Sequence, residues 1–78
     1  MSDSFTNAEL AMIQALVGAR PPYVRSTYRL RPILQDRAEH RPFMLDWRDR
    51  ADPLLVAASK LTPERAGLVL AAIMIQTG

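Results

Sequence analysis

The sequence predicts a mainly α-helical fold in one small domain, and three features carry that prediction. Thr6-Asn7-Ala8-Glu9 has the form of a capping box and opens an apolar-periodic run. Asp52-Pro53 and Thr62-Pro63 are two further helix starts ten residues apart. From Ala66 to Ile75 there is no polar side chain. The 78 residues are 49% hydrophobic and 23% charged, which is globular rather than disordered composition. A chain of this size buries only about 60% of its unfolded surface, so a second core would leave each half too small to fold. With no cysteine there is no disulfide to reinforce it.

Each element follows from local chemistry. After Thr6, Leu10, Ile13, Leu16 and Val17 share a stripe, and Phe5 with Leu10 fits a hydrophobic staple. Gly18 and Pro21-Pro22 stop the run, which predicts a helix over about 7–19. Good helix formers after Pro32 predict a short helix over 33–41. The two proline starts predict helices over 53–60 and 63–76, bent against each other near Leu61-Thr62. Between Pro22 and Pro32 the chain alternates, with Val24, Tyr28 and Leu30 on one side and Arg25, Thr27, Arg29 and Arg31 on the other. That alternation predicts a short Arg-faced strand at 23–31. Residues 42–48 fit either period, because Phe43, Leu45 and Trp47 also alternate. The alternative fold is therefore α+β, with a hairpin 23–31/42–48 against the helices.

The composition also bounds the chemistry. There is no cysteine nucleophile and His40 is the sole imidazole, flanked by charged residues as a solvated side chain would be. Asp46, Asp49 and Asp52 recur every three residues beside Arg48 and Arg50, the pattern of a solvated, ion-paired face. Gly18, Gly67 and Gly78 are too far apart to form a phosphate loop. The expectation is a protein without catalytic machinery, metal site or cofactor. The first residues, Met-Ser-Asp-Ser-Phe, lack the positive n-region of a signal peptide. The longest apolar stretch reaches half of the roughly 20 residues that span a bilayer. A cytoplasmic protein that does not enter the membrane is expected.

Binding is the remaining class. The net charge is only +2, yet nine of the ten basic residues are arginine. GC-rich coding produces the same skew, but arginine also recognises carboxylates and phosphates as a planar fork. Four arginines and no acid lie between Arg20 and Arg31, interleaved with Tyr23 and Tyr28. Tyr23, Arg25, Tyr28, Arg29 and Arg31 are the expected partner-binding surface. Another protein is the expected partner, with an accessory or inhibitory protein of a mobile element as the working picture. A nucleic acid held by the same arginines is the alternative. The segment Tyr28-Arg-Leu-Arg-Pro-Ile-Leu faintly resembles ribbon-helix-helix proteins, which pair such a strand across a dimer. That pattern begins with the strand and runs through two unbroken helices, whereas here a helix precedes it and Pro42 interrupts the sequel. No family is assigned on it. A helix-turn-helix at Thr62 is excluded, because a recognition helix exposes polar residues in its first turns and 66–75 has none. A helix apolar all round must be covered. Trp47, Leu68, Leu70, Ile73 and Met74 are accordingly expected in the core or at an oligomer interface. Gly67 and Ala71 would let a second copy approach closely as a homodimer.

Overall fold

The first helix starts where the capping box places it. In the computed structural model, which describes residues 4–18 and 25–77, α1 is Asn7–Val17. Thr6 Oγ1 accepts from the Glu9 amide at 3.1 Å, and the Thr6 amide donates to Glu9 Oε1 at 2.9 Å. The helix ends one residue before Gly18, whose amide donates to Gln14 O at 2.8 Å. Gly18 has φ −98°, so any residue type could adopt its backbone there. The last third also follows its start signals. Asp52 caps α4 (Pro53–Ser59) by accepting from the Leu54 amide at 3.0 Å. Thr62 Oγ1 accepts from the Arg65 amide at 3.2 Å at the start of α5 (Pro63–Thr77).

The middle of the chain corrects the sequence reading. The strand at 23–31 is not present: Arg25–Ala38 is one helix, α2, and it runs straight through Pro32. Residues 23 and 24 lie outside the described residues. The helix predicted at 33–41 is the second half of α2 and stops at Ala38. A proline inside a helix lacks the amide that would bond four residues back, and its ring crowds that carbonyl. Burial outweighs that cost. Leu30, Ile33 and Leu34, spaced three and four apart across the proline, are all buried. The alternation of 23–31 was genuine, but among the described residues there is no strand for it to pair with. The hairpin 23–31/42–48 is likewise absent, since 41–46 is loop and Trp47–Arg50 is a single helical turn, α3.

The end of α2 sets the course of that loop. His40 takes φ 59°, its amide donates to Arg37 O at 3.3 Å, and the Arg41 amide donates to Asp36 O at 2.8 Å. These two bonds around a left-handed residue form a Schellman motif, in which glycine is the usual occupant. The motif turns the chain back, and 41–46 returns along α2. Phe43 and Leu45 pack on the core while Met44 points outward.

The core is shared by the long elements. Met12 and Ile13 of α1, Leu55 and Ala58 of α4, and Ala66, Val69 and Ile73 of α5 close around Leu30, Ile33 and Leu34 of α2. α2 lies against α5 and α4, and α1 crosses α5. The Cα radius of gyration, 11.7 Å, matches the roughly 11.5 Å of a compact chain this long.

Candidate functional site

Two buried carboxylates tie the helices together, and one of them builds the site. Asp49 is fully buried, and its oxygens accept from Arg29 Nε at 3.0 and 3.1 Å and from Arg29 Nη2 at 2.7 Å. The second Arg29 contact is to Met44 O, at 2.9 Å from Nη2. One guanidinium thus pins both the 41–46 loop and α3 to α2. The Asp49 carboxylate holds the Arg29 pKa above its ordinary value, outweighing the opposite effect of burial. Asp49 also closes a capping box with Asp46: each accepts from the other's amide, at 2.8 and 3.1 Å. The expected solvated Asp46/Asp49/Asp52 face is therefore not a face. Asp49 is buried, and Asp52 accepts from Ser26 Oγ while it caps α4.

The other carboxylate is Glu9, which receives Arg65 Nε at 2.9 Å and Nη2 at 2.5 Å. The guanidinium of Arg65 beside it, helped by the Thr6 amide, lowers the Glu9 pKa to about 2 against the effect of burial. Arg65 also donates to Ser4 O at 3.0 Å and lies over the Phe5 ring at 5.6 Å. This clasp joins the start of α1 to α5 and leaves both charges committed to the fold.

Between the outer side of α2 and the returning loop runs an open groove of about 420 Å³, lined by Tyr28, Arg31, Pro32, Gln35, Asp36 and Arg41. Tyr28, Arg31 and Gln35 recur at helical spacing on the exposed side of α2. Arg41, on the other wall, is 3.5 Å from Asp36 and 3.0 Å from Glu39. Arg31 forms no ion pair with any described residue. Beyond the Arg29 clasp stand two large exposed side chains, Met44 at 80% and Trp47 at 75%, and Tyr28 itself is 57% exposed. Arg48 lies over the Trp47 ring at 5.4 Å.

Two of the five expected binding residues, Tyr28 and Arg31, therefore meet in one groove. Arg29 is turned inward onto Asp49. Tyr23 and the side chain of Arg25 lie outside the described residues. Of the residues expected in the core or at an interface, Ile73 is fully buried and Leu68 and Leu70 are partly buried. Met74 is 59% exposed, and Trp47 is not a core anchor. Pro32, Gln35, Asp36 and Arg41, which line the same groove, were not among the residues expected there. For Pro32, Gln35 and Asp36 the signal was the helical period of α2 running through Pro32, masked by reading that proline as a boundary; Arg41 lies beyond α2, where no local pattern points to it.

A second, apolar cleft of about 340 Å³ lies between α1 and α5, bounded by Phe5, Leu10, Ile13, Val17 and Ala72 among others. The staple pair Phe5 and Leu10 stands at its edge. Among the described residues no cluster of His, Asp or Glu side chains has the arrangement of a metal site. No described helix is long and apolar enough to cross a membrane. No protein-family model, curated protein or solved structure matches the chain.

Proposed function

We propose that this chain is a protein-interaction module whose contact surface is the α2 groove with its Tyr28–Met44–Trp47 rim. The observation that supports this most is the exposure of those three large side chains, Tyr28 beside Arg31 in the groove, Met44 on the loop that Arg29 holds to α2, and Trp47 under Arg48 on α3. Tyr, Trp, Met and Arg are the residues enriched at protein interfaces, and Trp, Tyr and Arg dominate their binding energy. Exposed apolar bulk costs solubility, and it is retained here on segments fixed by a buried ion pair. A surface held rigid in this way loses little entropy when a partner docks.

The nucleic-acid alternative drew on a strand presenting Arg25, Arg29 and Arg31 together. With Arg29 committed to Asp49, and Asp36 and Glu39 beside Arg41, the described residues of this side do not form the continuous row of arginines that reading drew on.

The test is substitution at the rim. Trp47→Ala removes an exposed side chain, so the protein should keep its circular dichroism and melting behaviour. A partner co-purifying with the wild type should be lost or weakened by about tenfold or more. A folded Trp47→Ala protein that retains the same partner at wild-type affinity contradicts the assignment of this surface.

The outer stripe of α5 supports a second contact, between copies of the chain. Ala71, Met74 and Ile75 are exposed there without a charge among them, Ile75 at 81%. Self-association through that stripe should give a dimer by light scattering at high micromolar concentration, and Ile75→Asp should return it to monomer. A monomeric wild type rules this contact out.

A further inference from the structure

Charge is spread unevenly over the described residues. Arg31, Glu39, Arg41, Arg48, Arg50 and Lys60 are exposed on α2, α3 and the segments that follow them. By contrast, α1 carries one charged side chain, Glu9, which is buried on Arg65, and α5 carries none after Arg65. Between these two helices lies the apolar cleft of about 340 Å³, with Leu10 on its α1 wall and Ala72 and Gln76 on its α5 wall. Leu68 and Ile75, four before and three after Ala72, share that side of α5. The spacing sets Ile75, 81% exposed, at the outer lip of the cleft. Met74 is two residues from both Ala72 and Gln76, which on an α-helix is the opposite side.

We infer that two copies of the chain pack α1–α5 face to α1–α5 face, with Ile75 of each seated in the cleft of the other. The inference rests on the self-association reading given above and locates its contact. A two-fold interface must be self-complementary, and this face holds both an apolar cleft and an exposed apolar side chain to enter one. Through α2 or α3 such a contact would bury exposed charges, whereas through this face it buries none beyond Glu64. Depletion of charge is the compositional mark of an interface core. The size also suffices. A standard interface takes about 800 Å² from each partner, roughly 15% of the 5265 Å² that this chain exposes. With 11 and 15 residues, α1 and α5 make up a third of the chain, so one outer face of the pair is of that order. A lipid surface fits less well. Helices that lie on membranes flank their apolar face with Lys and Arg, and the one such residue on α1 and α5, Arg65, is held on Glu9.

The test uses the whole chain at high micromolar concentration, where light scattering should show a dimer. Leu10→Asp and Met74→Asp both change exposed positions and should keep the wild-type circular dichroism. Leu10→Asp should weaken the dimer about tenfold or more, because it places an unpaired charge inside the contact. Met74→Asp, on the far side of α5, should change it by less than about threefold. The chain has no cysteine, so single-cysteine variants report the contact directly. Ile75→Cys mixed with Gln14→Cys should oxidise to the mixed disulfide in excess of its statistical share. A dimer weakened by Met74→Asp and not by Leu10→Asp, or one that links Ile75→Cys only to itself, overturns the cleft contact and leaves the α5 stripe standing. A monomeric wild type overturns both, including where the cleft takes up a helix of another protein.

Discussion

Glu9 and Asp49 are the residues on which this fold's electrostatics turn, and each makes a separate prediction. Glu9 holds its proton much less tightly when folded than the ordinary 4.5 of a glutamate, down to about 2. Between those values the unfolded chain takes up a proton that the folded chain refuses, so stability falls as pH falls through that window. Above about pH 4.5 the contribution is complete. Glu9→Gln should be less stable than wild type at neutral pH and should lose that part of the acid dependence. Urea titrations at successive pH steps would check it, and parallel curves for the two proteins would contradict it. Asp49→Asn keeps the shape and removes the charge under Arg29. The expected loss is about 2 kcal/mol, since a partly buried guanidinium is left with a weaker partner. A change below about 0.5 kcal/mol would mean that the clasp is not holding α3 and the loop. Neither pair was legible in the sequence. Asp49 is 20 residues from Arg29 and Glu9 is 56 from Arg65, and local pattern carries nothing over such separations. The Thr6–Glu9 box, by contrast, could be read from four consecutive residues.

At the scale of elements, the sequence was readable wherever a capping residue or N1 proline stood outside a helix, and misleading where a proline stood inside one. Asp52-Pro53 and Thr62-Pro63 mark α4 and α5 to within a residue. Pro32 looks the same in sequence and means the opposite, because Leu30, Ile33 and Leu34 bury on both sides of it. Pro32→Ala should restore the missing amide bond and raise stability by about 1 kcal/mol or more. A loss of stability in denaturant titration would show that the proline is needed for the course of α2. The apolar run of α5 was expected to be covered all round, in the core or by a second copy, but within this chain the cover is one-sided. Ile73 is sealed in the shared core, whereas Met74 and Ile75 face outward. Ile73→Asp should therefore unfold the protein, through an unpaired charge in the core. Ile75→Asp should fold normally. Equal damage from both, read by circular dichroism, would contradict the placement of that helix face.

For the whole molecule, the long helices supply the core and the irregular middle supplies the surface. Compactness without disulfides follows from the shared cluster around α2 and from two ion-pair clasps that fasten the ends and the loop to it. The same Arg29 clasp that stabilises the loop also fixes Met44 and Trp47 in the exposed positions proposed to meet a partner. Of the residues that sequence reasoning singled out for binding, Tyr28 and Arg31 line one groove of the fold. That reasoning assigned the wrong backbone, because period two and period 3.6 coincide over so short a segment. The most direct test of the central proposal is position-resolved photo-crosslinking in the cells of origin. A photoreactive side chain in place of Met44, Tyr28 or Gln35 should form discrete adducts with one partner protein, and the same group in place of Ala8 or Lys60, outside the groove, should not. Adducts that are absent from the groove positions, or identical from all five, would contradict the account.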